Sequence, residues 1–145
     1  MLYLIYYKYS RYNRGGITLI IEIKSQSPTP IYEQLYDQVV FGIASEKLTP
    51  GEALPSTRSL AADLGINSLT VNKAYSMLCS EGYIVMDRRK GAVVAQVVRN
   101  NDAFLARLSR RLTQTAAEAI CHDMSQDDYI GICIECYRDA KGSVT

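Results

Sequence analysis

Residues 54–84 read LPSTRSLAADLGINSLTVNKAYSMLCSEGYI. Two helical patterns lie in this stretch, separated by Gly65 and a few residues. The first is short and rich in Ala and Leu; Ser56 suits its N-cap, and Gly65 can take the left-handed conformation that ends it. The second is capped by Asn67 or Ser68, runs to about Ser80 and is stopped by Gly82. Its Val71, Ala74, Tyr75 and Leu78 fall on one face, with Lys73 and Ser76 opposite and Asn72 near the border. A core helix has no need of a leading edge as polar as Asn67, Ser68, Thr70, Asn72 and Lys73. A helix that enters a DNA major groove does.

The flanking residues extend this plan. ITLIIEI (17–23) is β-branched and predicts a short strand. After a loop punctuated by Pro28 and Pro30, residues 31–47 repeat apolar positions at helical spacing, Ile31, Leu35, Val39 and Ile43 on one row. LTPGEALPS (48–56) is a turn with room for a very short strand around Ala53-Leu54. YIVMD and AVVAQVV are strand-like and joined by RRKG, which makes a hairpin with a basic tip. Helix, short strand, helix, tight turn, helix and basic hairpin is the order of a winged helix-turn-helix. In that arrangement the third helix reads base edges, its N-terminal amides favour phosphates, and Arg88, Arg89 and Lys90 reach neighbouring backbone, with Gly91 easing the turn.

After Arg99-Asn100 the pattern changes to two helices, around 101–121 and 126–139. Phe104, Leu105, Leu108 and Leu112 share a stripe on the first. The second opens with Ser125 and Asp128 in a capping-box spacing and carries Ile130, Ile134 and Tyr137. Such a hairpin has too little core to fold alone. It must pack on the first domain, on another copy of itself, or on both, and the expectation is a homodimer paired through these residues.

Composition sets outer limits. A hydrophobic content of 48% with 21% charged residues is that of a folded soluble protein, and no run is long and apolar enough to span a membrane. The net charge of +1 does not reveal a nucleic-acid partner, but residues 47–99 hold seven Lys/Arg against four Asp/Glu, so the middle is mildly basic. Cys79, Cys121, Cys133 and Cys136 are scattered, which suits reduced thiols in a cytoplasm and not a disulfide framework. The single histidine, His122, has no paired nucleophile at any motif spacing, and no phosphate-cradling glycine loop is present; no enzyme and no cofactor is expected. Cys133 and Cys136, one helical turn apart among isoleucines, read as small hydrophobes before they read as metal ligands.

The string PIYEQLYDQVVFGIASEKLTPGEALPSTRSLAADLGINSLTVNKAYSMLCSEGYI resembles the DNA-binding domain of GntR-family bacterial transcription regulators, over about residues 28–96. The TVNKAY form and the short tail are similar to the YtrA-type branch, whose tail is two helices used for dimerisation. The resemblance implies a mainly α fold with a small β wing. It also implies a repressor acting on a double-stranded DNA operator, and an unidentified small-molecule effector. It places a DNA-contacting arginine at Arg58, beside Ser56 and Thr57, puts Thr70 and Lys73 in the recognition helix, and makes Gly91 the wing glycine. Where many members carry Ser-Arg, this chain has Asn67-Ser68-Leu69. Leu69 then has two readings, contact with a thymine methyl or inward packing.

The expected organisation is an N-terminal extension over 1–19, disordered or non-native, a winged helix-turn-helix over 20–98, and a helical dimerisation tail over 99–145. Two other classes fit the same residues: a redox- or metal-responsive regulator using the tail cysteines, and a winged-helix protein-interaction module.

Overall fold

The computed structural model describes residues 4–8, 20–96, 98–99 and 101–142 of the 145-residue chain. The elements run β1 (Leu4–Lys8), β2 (Ile20–Lys24), α1 (Ile31–Ala44), α2 (Thr57–Leu64), α3 (Ser68–Ser80), β3 (Ile84–Asp87), β4 (Gly91–Val94), α4 (Asp102–Cys121) and α5 (Gln126–Ala140). They divide into two compact units, Met1–Val98 and Arg99–Thr145.

In the first unit the apolar faces of three helices meet. Leu35 and Val39 of α1, Leu60 and Leu64 of α2, and Val71 and Leu78 of α3 belong to one buried cluster, closed by Ile84 and Val94 of the hairpin. These are the positions that helical periodicity picks out. The first helix stops at Ala44, short of the expected Lys47, because Glu46 turns left-handed at φ 59°. That turn lets Leu48 double back: its N–H donates to the Gly42 carbonyl at 2.9 Å and its side chain is buried. Tyr36 ties α1 to the end of α3. Its hydroxyl donates to Glu81 Oε2, and its ring meets Tyr83 edge to face at 6.0 Å. Burial first, then the bond to Glu81, holds this phenol well above its ordinary pKa.

The strands β3 and β4 pair antiparallel from Ile84 opposite Val94 to Asp87 opposite Gly91. The expected short strand at Ala53-Leu54 joins them. Ala53 bridges Val93, and the Leu54 N–H donates to the Ala92 carbonyl at 2.8 Å.

Part of the stretch expected to be an extension, Leu4–Lys8, forms β1, antiparallel to β2 with Leu4 opposite Lys24 and Lys8 opposite Ile20. Its LIYYK sequence is made largely of strand formers, and the free edge of β2 accepts it. Residues 1–3 and 9–19, the rest of that expectation, lie outside the described residues. The opposite edge of β2 is held by side chains. Gln38 accepts from the Glu22 N–H and donates to the Glu22 carbonyl, both at 2.7 Å. Gln34, one turn earlier, does the same for Lys24 at 2.9 and 3.1 Å. Ile21 and Ile23, between them, enter the core.

The second unit is a helical hairpin. Asn101 caps α4 by accepting from the Phe104 N–H at 2.8 Å. Ser125 caps α5 by accepting from the Asp128 N–H at 3.2 Å, and its hydroxyl donates back to the Asp128 carboxylate at 2.6 Å. The helices are tied by Tyr129, whose hydroxyl donates to the Leu112 carbonyl at 3.2 Å and lies 2.6 Å from Thr115 Oγ1. No residue of either helix is buried. Among the described residues, no helix is long and apolar enough to cross a membrane.

Candidate nucleic-acid interface

Local hydrogen bonds set the α2–turn–α3 unit. The Ser56 hydroxyl accepts from the Ser59 N–H at 3.1 Å and starts α2. Gly65 ends it at φ 62°, a conformation that costs a residue with a Cβ. Two residues later Asn67 Oδ1 accepts from the Leu69 N–H at 2.9 Å and starts α3. The turn is therefore closed by a glycine at one end and an asparagine at the other. The buried face of α3 is Val71, Ala74, Tyr75 and Leu78. Its exposed residues Leu69, Asn72, Lys73 and Ser76 follow the i, i+3, i+4, i+7 spacing and form one outward face.

The wing is organised by Asp87. Its carboxylate accepts from the backbone N–H groups of Arg89 at 2.7 Å and Lys90 at 2.8 Å. These two bonds, Lys90 first, draw the Asp87 carboxyl below its ordinary pKa. Gly91 completes the turn at φ 75°. The side chains of Arg88, Arg89 and Lys90 are all exposed, so three cations stand on a tip whose backbone is pinned.

All the residues that the sequence assigns to DNA contact belong to the first unit, and they differ in how far they are free to reach outward. Arg58, Asn72, Arg88, Arg89 and Lys90 are exposed, as is Leu69 at 70%. Leu69 does not pack inward. Ser56 and Asn67 are exposed too but spend a side-chain oxygen on caps, and Thr57, Ser68 and Thr70 are half-buried. Lys73 lies between these groups. It is exposed, yet its ammonium stands 3.7 Å from the centre of the Tyr32 ring on α1, whose hydroxyl donates to Glu33. The sequence did not single out Tyr32 as a partner of Lys73, because the pairing joins two helices distant in the chain. It also passed over Asp87, although Asp at the head of a turn is a legible signal.

In the second unit the tail residues keep large exposures: Leu105 48%, Leu108 39%, Leu112 47%, Ile130 44%, Ile134 48% and Tyr137 70%. Phe104 is half-buried under Arg107, whose guanidinium lies 5.9 Å from the ring centre. Cys133 is half-buried, and Cys121 and Cys136 are exposed.

A capped helix-turn-helix with a cationic hairpin tip defines a winged helix-turn-helix protein of the DNA-binding class. The sequence model described as "Bacterial regulatory proteins, gntR family" matches residues 31–94, from the start of α1 to the end of β4. The chain is 30% identical over 89 residues to the uncharacterized HTH-type transcriptional regulator YhcF of Bacillus subtilis, covering 61% of this chain and 74% of that relative. It is 39% identical over 77 residues to the HTH-type transcriptional repressor YtrA of the same organism, covering 53% of this chain and 59% of that one. Three other curated relatives are longer, and the chain spans less than a third of the length of each. The crystal structure of a transcriptional antiterminator from Listeria monocytogenes EGD-e superposes with a TM-score of 0.75 at 26% identity, over 82% of this chain and 90% of that one. The chain belongs to the GntR family of bacterial regulatory proteins, and its relatives place it with the YtrA-like members.

Proposed function

We propose that this protein is a cytoplasmic transcriptional repressor that binds a twofold-related DNA operator as a homodimer. Arg58 and the outer face of α3 enter the major groove, and Arg88, Arg89 and Lys90 of the wing hold adjacent phosphates. The tail helices α4 and α5 hold two copies together. The observation that carries this reading is the bare apolar stripe of the tail: Leu105, Leu108 and Leu112 with Ile130 and Ile134, each more than a third exposed in the single chain. Two short helices cannot cover such a stripe themselves. A twofold-related copy presents the same stripe and covers both. That YtrA, one of the relatives, is named as a repressor supports the sign of regulation.

The test is selection of bound duplexes from fragments of the source genome, followed by sedimentation of the complex. The expected result is enrichment of inverted-repeat sites, each bound by two chains, with affinity that falls steeply with salt. Enrichment of sites without internal symmetry, bound by one chain, would overturn the homodimer.

A further inference from the structure

We infer that Leu69 reads a thymine methyl group on the major-groove floor and is a specificity-determining residue of this protein. The inference rests on the DNA-binding function proposed above and says what the recognition helix of this particular chain prefers.

Three observations converge on Leu69. Among the described residues of the first unit it is the most exposed large apolar one, at 70%, on the first turn of α3, and it shares the outward face with Asn72 and Ser76. Two polar groups near it are engaged within the protein: Asn67 Oδ1 caps the Leu69 N–H, and the Lys73 ammonium stands over the Tyr32 ring. No arginine lies anywhere on α3, so the bidentate reading of guanine by a guanidinium is not available from this helix. The leading edge therefore presents a branched hydrocarbon where a base-reading helix commonly presents donors. Among the groups on the major-groove edges of the four base pairs, the thymine C5 methyl is the bulky apolar one; cytosine offers only a C5–H at that place. Leu69 placed against any other edge would strip water from a donor or acceptor and return no hydrogen bond. Placed against the methyl, it buries apolar surface on both sides. Asn72, one turn further on the same face, carries the amide that suits the N6 and N7 edge of adenine. The face as a whole favours A·T pairs.

The test replaces thymine with uracil, which removes the methyl and leaves the Watson–Crick edge unchanged. Full-length protein first selects its preferred duplex from a random-sequence library. Each thymine of a half-site is then changed to uracil in turn, and affinity is measured at one salt concentration for wild type and for Leu69→Ala. The wild type is expected to lose about fourfold at a single thymine, and roughly fifteenfold when both half-sites are changed. Leu69→Ala is expected to bind the thymine duplex about as weakly as wild type binds uracil, and to ignore the exchange. Leu69→Met, which keeps a hydrocarbon there, should retain the sensitivity. Circular dichroism of each variant shows that the fold is kept. If no thymine is sensitive in wild type, or if Leu69→Ala is as sensitive as wild type, the inference fails while the DNA-binding function stands. If wild type selects no sequence at all, both fail.

Discussion

The hydroxyl of Tyr75, buried in the middle of α3, donates a 2.9 Å hydrogen bond to the carbonyl of Pro55, the residue just before the cap of α2. One side chain thus fixes where the second helix begins relative to the third. Tyr75→Phe removes the bond and keeps the ring, leaving a buried carbonyl without that donor. A loss of about 1–2 kcal/mol is expected, read as a lower urea midpoint with an unchanged slope. Because Arg58 is the second residue of α2, operator affinity should fall with it.

Arg58 and Lys73 should separate in their effects. Arg58→Ala should weaken operator binding by roughly 1–3 kcal/mol with no change in thermal midpoint, since Arg58 is an exposed residue outside the core. The Lys73 ammonium sits over Tyr32, so Lys73→Ala should cost about 0.5–1 kcal/mol of stability and less affinity than Arg58→Ala. Equal losses of affinity from the two changes would mean that Lys73 leaves Tyr32 when DNA binds.

At the wing, replacing Arg88 and Arg89 with Ala should flatten the log–log salt dependence of binding by about one unit for each lost phosphate contact. Asp87→Ala should weaken binding although it removes a negative charge, because the tip loses both carboxylate bonds. The pH dependence follows from the lowered Asp87 pKa. The ionised carboxylate holds the tip at all pH values above the ordinary aspartate range, and the hold is lost only as pH falls through the lowered value. Amide shifts of Arg89 and Lys90 in an acid titration should therefore move below the ordinary aspartate midpoint, not at it.

In the tail, Leu108→Asp combined with Leu112→Asp puts two carboxylates into the proposed contact between copies. Monomers are expected in sedimentation at micromolar concentration. Operator affinity should drop far more than any single-head change predicts, since the second head no longer binds intramolecularly. A dimer that persists with full affinity would place the contact elsewhere.

The helices and caps were legible because their signals are local. Ser56, Gly65, Asn67 and Ser125 each act within three residues of themselves, and the buried positions of α1 and α3 repeat at the helical period. The hairpin and the short strand at Ala53 were legible for the same reason. What the chain hides is whatever depends on distant partners. Lys73 on Tyr32, Tyr36 on Glu81 and the pairing of β1 with β2 each join residues far apart in sequence, and no periodicity records them. Leu69 lay between these cases: its place at the leading edge was visible, and only the packing of α3 decided that it faces outward.

The two glutamines of α1 have a consequence for the molecule when no DNA is near. An exposed strand edge is a template on which another chain can add. Gln34 and Gln38 each present an amide, a donor and acceptor pair with the shape of a peptide group, and so occupy that edge of β2 with imitation backbone. A stranger's strand would have to displace two bidentate clasps before it could add there. The same helix that packs against α3 also keeps one side of the sheet closed to aggregation.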